Sequence, residues 1–336
     1  MARTDKDKPA SGFDKAITAL FCAAVSVWEH IIAPMCRSGF LLIAIPSLVV
    51  LAAAQQGSHP PVPTGQISPE NSVSVQHDIP YGDAGGEKLL LDLYLPAEDG
   101  TRPRPAIILI HGGGWDSFDK STMSGMGNFL ARAGFVAASV DYRLLRGNEN
   151  HWPAQLNDVQ RAVRWLRANA GKYNIDPDHI GAFGHSAGAQ LAALLGMEDT
   201  RDNSDPSLAK YSSRVQAVVD VSGPSDFLKN HDPDGDAFLT IFFGGSYDKV
   251  PDVWRDASPV SHVSKSDAPF LIVHGTEDRF VPIAQAQELY EKLKDAGVKV
   301  SFVKLDDGHM FDKPENRKQL ALESLTFFNR YLVVNQ

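Results

Sequence analysis

From Val73 onward, short apolar runs alternate with amphipathic stretches. Ala106–Ile110 (AIILI) is a continuous apolar run of strand length, and Phe135–Val140 and Phe270–Val273 repeat the pattern. Runs without a polar interruption mark strands buried on both faces, as in a parallel sheet covered by helices. Lys88–Leu95 mixes such a run with alternation and predicts an early strand, and Ile180–Phe183, Val215–Val221 and Val298–Leu305 predict three more. Gln155–Ala168 carries Leu156, Val159, Val163 and Leu166 at helical spacing. Ala189–Gly196, Ala284–Ala296 and Gln319–Leu332 are the other predicted helices. Strands separated by helices imply an α/β fold with a mostly parallel central sheet and helices on both faces. In such sheets ligands gather beyond the carboxyl ends of the strands. Residues 198–213 and 225–262 are weakly patterned and rich in Asp, Ser, Pro and Gly; a cap over a site and ordinary surface loop account for them equally well.

The front of the chain has a different texture. Phe40–Leu51 is an uncharged apolar run, preceded by Arg37 and followed by Ala52-Ala53-Ala54. A basic residue, a short apolar core and a small-residue box are the parts of a secretory signal peptide. The run is short for a bilayer span, which needs about 20 apolar residues. Residues 1–54 are therefore expected to be an N-terminal targeting region, with the signal peptide at 35–54 if translation starts at Met35. Residues 55–72, rich in Pro, Gly and Ser, form a linker, and residues 73–336 the catalytic domain. Export to the periplasm or the extracellular space follows, with an uncleaved membrane anchor as the alternative. Membrane contact is expected only through this segment if it is retained.

Cys22 and Cys36 are the only cysteines, and both precede the expected cleavage point. The folded domain must then hold together by core burial alone, which its length permits. A net charge of −9 argues against nucleic acid as a partner. No phosphate-binding loop and no Cys/His cluster for zinc is present, so neither a metal nor an organic cofactor is expected. Asp232-Pro233-Asp234-Gly235-Asp236 has the look of a calcium loop, but Phe243 stands where the closing glutamate belongs, which favours a solvated acidic loop.

Gly184-His185-Ser186-Ala187-Gly188 lies between a predicted strand and a predicted helix. Gly-x-Ser-x-Gly in that context is a nucleophile elbow: a sharp, strained turn that exposes the serine hydroxyl. A serine needs a base within hydrogen-bond reach and a third group to orient the base. In elbow enzymes the chain order is Ser, then Asp or Glu, then His. Asp278 follows the strand at 270–273 and His309 follows the strand at 298–305, so the order and the strand ends both fit. Ser186, Asp278 and His309 are the expected nucleophile, orienting acid and base. Glu277 and Asp226 are the competing acids. His111-Gly112-Gly113-Gly114-Trp115 follows the strand at 106–110, where such enzymes place the amides that bind an oxyanion. The N–H groups of Gly113, Gly114 and Ala187 are assigned that role. Trp115 is a candidate substrate-lining residue or a packing residue, and His111 a loop anchor. Asp141-Tyr142-Arg143 and Asp158 are expected to buttress the oxyanion loop through an Arg–carboxylate pair.

These motifs, together with Asp176-Pro177 and Val281-Pro282, resemble the α/β-hydrolase superfamily over about residues 73–332. Within it they are most similar to secreted bacterial esterases of the bifunctional feruloyl/acetylxylan esterase type. His185, before the nucleophile, departs from the aspartate common in hormone-sensitive-lipase relatives, and Ala189 replaces a frequent glycine. The resemblance implies an α/β-hydrolase fold and a serine carboxylester hydrolase working through an acyl-enzyme. It implies short acyl or feruloyl esters of carbohydrate as substrates, with no cofactor. A serine peptidase or amidase of the prolyl-oligopeptidase or formamidase kind, and a non-catalytic binding module on the same fold, are the alternatives.

Overall fold

The computed structural model describes residues 72–97, 102–200, 202, 204–229 and 233–333. All of them fall in the compact unit Pro63–Gln336. The targeting region, Met35, both cysteines and all but the last residue of the linker lie outside the described residues.

Eight strands form one sheet: β1 (Val73–Ala84), β2 (Glu87–Pro96), β3 (Arg104–Ile110), β4 (Val136–Val140), β5 (Ile175–His185), β6 (Ala217–Val221), β7 (Phe270–Gly275) and β8 (Val300–Leu305), in the spatial order β1-β2-β4-β3-β5-β6-β7-β8. β1 and β2 form a hairpin, and β2 pairs antiparallel with β4. Every other pairing is parallel. The hairpin turns on Gly85 and Gly86, whose φ values of 67° and 87° are the left-handed pair that a two-residue turn demands. The helices are α1 (Ser124–Arg132), α2 (Ala154–Ala168), the single turn α3 (Ala170–Tyr173), α4 (Ala187–Met197), α5 (Pro233–Phe242), α6 (Pro251–Ala257), α7 (Ile283–Asp295) and α8 (Pro314–Leu332).

Two apolar layers sandwich the sheet, and the strand sequences divide between them with period two. Ala106, Ile108 and Ile110 of β3 face the layer built by α2, α4 and α7, while Ile107 and Leu109 face α1 and α8. β7 does the same, with Phe270 and Ile272 on the first side and Leu271 and Val273 on the second. α2 is amphipathic and buries Val159, Val163 and Leu166. α4 is buried at every position, the condition in which a helix is apolar all round. Phe328 of α8 is fully buried against Phe135 and Gly181; truncating it to alanine is expected to destabilise the fold by roughly 3–5 kcal/mol.

The parallel strands end at one edge, and that edge gathers the segments singled out in the sequence: His111–Trp115 after β3, Ser186 after β5, Asp278 after β7 and His309 after β8. Besides the single turn α3 and the helices within 225–262, β1 and α1 were not anticipated. β1 is an edge strand with most of its residues partly or fully exposed, so it lacks an apolar run. α1 carries Gly125 and Gly127, which weaken its helical signature; Gly127 is there because a Cβ would overlap the Tyr94 ring. Residues 225–262 hold α5, α6 and a 3₁₀ turn at Pro259–Ser261, and Phe242, Phe243 and Trp254 knit them into an aromatic cluster with Trp115 and Phe227. Residues 198–213 have no helix or strand among those described. Of the two weakly patterned stretches, the second is a folded helical segment packed on Trp115 and the first is a loop.

Candidate active site

Ser186 joins β5 directly to α4 with φ 54° and ψ −122°, a conformation that a non-glycine residue holds only when its surroundings enforce it. The enforcement is visible. Its N–H donates to the Val221 carbonyl at 2.8 Å, and its carbonyl accepts the Ala189 N–H at 2.9 Å. A Cβ on Gly184 would overlap the Gly188 carbonyl, and one on Gly188 would overlap the Ile110 carbonyl. The serine is thus fixed between the end of β5 and the first turn of α4. Its hydroxyl makes no hydrogen bond among the described residues.

Asp278 and His309 meet: Nδ1–H of His309 donates to Oδ2 of Asp278 at 2.7 Å. That bond leaves Nε2 of His309 with its lone pair free to take a proton. The Asp278 side chain is fully buried, and its other oxygen accepts the N–H groups of Phe280 and Val281, both at 2.9 Å. Burial works against the charge, but hydrogen bonds from His274, His309 and Val281 outweigh it and hold the carboxyl far below the usual carboxylate range. The competing acids stand elsewhere. Glu277 is exposed, and Asp226 is spent on the Leu228 N–H and Lys229.

His309 is tied to the elbow through the neighbour of the serine. Nε2–H of His185 donates to the His309 carbonyl at 3.0 Å, and the two rings lie 5.0 Å apart. Because a carbonyl only accepts, His185 carries its proton on Nε2. Burial pulls its pKa down to about 4, so it stays neutral beside His309 under ordinary conditions.

Gly113 and Gly114 both have positive φ, 103° and 58°. At Gly113 a side chain is excluded twice, by that φ and by the Ser117 carbonyl that a Cβ would overlap. The loop is closed by the N–H groups of Asp116 and Ser117 donating to the Gly113 carbonyl. The N–H groups of Gly113, Gly114 and Ala187 have no hydrogen-bond partner among the described residues. His111 stacks on Tyr142 with centroids 4.3 Å apart, and the Tyr142 hydroxyl donates to the His111 carbonyl at 3.0 Å, which is the anchoring expected of it. Arg143 grips Asp158 with Nε and Nη2, each at 2.8 Å, and its own N–H donates to the same carboxylate. Two residues on, the Leu145 N–H donates to the Trp115 carbonyl, so the expected Arg143–Asp158 pair is formed two residues from a backbone bond to the His111–Trp115 loop.

Trp115 is only 5 % exposed. Its ring stacks on Phe242 at 4.6 Å, and its indole N–H donates to Gln190 Oε1 at 3.1 Å. The structure therefore places it behind the loop, among packing residues. The acidic run 232–236 lies outside the described side chains, and Phe243 beyond it is buried in the aromatic cluster. Among the described residues no cluster of His, Cys, Asp and Glu could hold a metal ion, and no helix is long and apolar enough to cross a membrane.

Three residues with evident work here were missed by sequence reasoning. Gln190 receives the Trp115 indole and donates to the Ala257 carbonyl at 2.8 Å, joining the His111–Trp115 loop, the helix behind the serine and α6. Its signal was there: it is the single polar residue in the helix AQLAALLG. His185 was seen as a departure from a pattern and not as a tether. His274 is fully buried, with Nε2–H shared between the Val281 carbonyl at 2.8 Å and Asp278 Oδ2 at 3.2 Å. Asp278 thus lies between two imidazoles. Nδ1 of His274 has no partner, and the nearby buried Asp220 is pushed up to about 6 by burial, opposed by the Gly223 N–H and by His274.

The family model for BD-FAE matches residues 91–293. The chain belongs to the BD-FAE family. Its fold is the α/β-hydrolase fold, as expected. Esterase LipC of Mycobacterium tuberculosis is 32 % identical over 69 % of this chain, and the chain spans 59 % of LipC's length. Among solved structures, a truncated carbohydrate esterase from gut microbiota is 31 % identical, with TM-score 0.66, covering 78 % of this chain and 97 % of the other. A thermophilic esterase from the planctomycete Thermogutta terrifontis, solved with butyrate bound, is 25 % identical with TM-score 0.67, covering 81 % of this chain and 98 % of its own; it has also been solved phosphonylated by sarin. Both of these solved esterases are covered almost end to end, whereas LipC carries further sequence.

Proposed function

We propose that this protein is a serine carboxylester hydrolase that acts through an acyl-enzyme on short acyl or feruloyl esters of carbohydrate. The observation that carries the proposal is the Asp278–His309 bond, tethered through His185 to a serine held at φ 54°. Ser186 Oγ attacks the ester carbonyl carbon while Nε2 of His309 takes its proton, and Asp278 fixes the imidazole tautomer and stabilises the imidazolium. The developing oxyanion is bound by the N–H groups of Gly113, Gly114 and Ala187, each without another partner among the described residues and preorganised by the loop and by the first turn of α4. Collapse of the intermediate expels the alcohol, which takes the proton from His309. Water, deprotonated by the same nitrogen, then releases the acid.

The names of the neighbours support ester hydrolysis, and the gut carbohydrate esterase supports a sugar ester. The reaction of the Thermogutta esterase with sarin is the chemistry of an activated nucleophile and supports the serine assignment. Trp115 is assigned a supporting part: through Gln190 and Phe242 it sets the backbone that presents the Gly113 and Gly114 amides. Export is proposed from the apolar run Phe40–Leu51 and its flanks. N-terminal sequencing of the protein purified from its native cells tests it; a mature chain beginning after Ala54 is expected, and one retaining Met1 or Met35 contradicts it. For catalysis, the test is turnover of acetylated xylan, methyl ferulate and p-nitrophenyl acetate by wild type and Ser186→Ala. Hydrolysis lost in the variant is expected, and wild-type rates in the variant refute the nucleophile.

A further inference from the structure

Phe280 is 79 % exposed, the most exposed large apolar side chain among the described residues, and Met310 follows at 56 %. Both stand at His309. The Phe280 ring lies 5.4 Å from the imidazole at an interplanar angle of 49°, and Met310 is the next residue in the chain. Exposed apolar side chains scattered singly need no explanation, but a pair beside a reactive group marks a binding surface. Phe280 is not loosely placed. The hydrogen bond from its N–H to Asp278 Oδ1 belongs to the turn that aims the carboxylate at His309, so the geometry that builds the acid–base pair also sets the ring. Glu277 and Arg279, both exposed, come from the same turn and bring an acid and a base to the stretch that carries the ring.

The chemistry fixes which half of the substrate meets this surface. His309 must hand its proton to the leaving oxygen, so the alcohol departs along the open side of the imidazole. Phe118, also exposed, stands instead against Gly113, beside the oxyanion amides. We infer that Phe280 and Met310, with Glu277 and Arg279, form the subsite for the leaving alcohol, and that the alcohol they suit is a pyranose ring. A pyranose has an apolar C–H face to lay on an aromatic ring and edge hydroxyls for a carboxylate and a guanidinium. A small aliphatic alcohol would use none of this. The inference rests on the ester hydrolysis proposed above.

The test compares three acetate esters, so that the acyl half is constant: an acetylated methyl xylopyranoside, phenyl acetate and methyl acetate. Wild type, Phe280→Ala and Phe280→Tyr are assayed for kcat/KM, with Ser186→Ala as control. Phe280→Ala is expected to lower the ratio of sugar ester to methyl acetate about five- to tenfold, the range of one lost ring contact, and Phe280→Tyr to keep the ratio within about twofold. Equal losses on all three esters would make Phe280 a shield for His309 and overturn the inference. So would a loss confined to phenyl acetate, or an unchanged ratio. Ser186-dependent hydrolysis with an unchanged ratio sinks the inference alone, whereas hydrolysis that survives Ser186→Ala sinks the hydrolase proposal first.

Discussion

Replacing His274 by phenylalanine removes a buried donor from the far side of Asp278 while leaving the turn amides and His309 in place. A hydrogen bond to a charged group contributes about 1.5–3 kcal/mol. Here the proton is shared, and the Val281 carbonyl holds the nearer position, 2.8 Å against 3.2 Å. A loss of about 1 kcal/mol of carboxylate stabilisation follows, which raises the pKa of the carboxyl. Asp278 starts so far below the usual range that it stays ionised at neutral pH. The less-stabilised carboxylate accepts more strongly from His309 and holds the imidazolium more firmly. Losing His274 also removes a minor influence that lowers both His185 and Asp220, so each of these neighbours moves up slightly in the variant. The acid limb of kcat/KM against pH is therefore expected to move to higher pH. His274→Gln, which can still donate from its amide, should keep the limb in place. A folded His274→Phe variant whose acid limb is unmoved or shifted to lower pH would refute the reasoning.

Asp278→Asn keeps the shape but loses the charge and favours the wrong tautomer of His309; kcat on p-nitrophenyl acetate should fall on the order of 10³–10⁴-fold with the fold intact by circular dichroism. Gly113→Ala pushes a methyl group at the Ser117 carbonyl and should lower kcat about 10²–10³-fold, the loss typical of one misplaced oxyanion donor. Asp220 bears on stability. Its folded pKa, about 6 against an ordinary 3.8, means that native protein is destabilised by this group as pH rises through that interval, by roughly 2–3 kcal/mol once the carboxyl is ionised. Asp220→Asn should unfold at higher denaturant than wild type above about pH 7 and match it near about pH 4; a difference that is constant with pH contradicts the assignment.

The central sheet was legible because strands buried on both faces have almost no choice but Val, Ile, Leu, Phe and Ala, as in Ala106–Ile110 and Phe270–Val273. β1 was illegible for the complementary reason: at an edge, with His77 and Asp78 in mid-strand, it buries little and shows no period. The elbow, the oxyanion loop and the pairing of Asp278 with His309 could be read because each sits directly after a strand, where the topology leaves few places to go. His185, Gln190 and His274 could not, because their work is done across gaps of 124, 67 and 75, and 4 residues, and the shortest gap gives no hint which of two neighbouring acids is meant. Trp115 was open between lining and packing, and its burial puts it with the core.

The account stands on Ser186 being made nucleophilic by His309, whose backbone carbonyl is tied to the serine's neighbour His185. Incubation with a serine-directed phosphonate, followed by intact-mass measurement and peptide mapping, tests this most directly. A single adduct on the peptide carrying Ser186, formed in step with loss of esterase activity and much more slowly in His309→Ala, is expected. An adduct on another residue, or full labelling at the same rate without the imidazole, would contradict it.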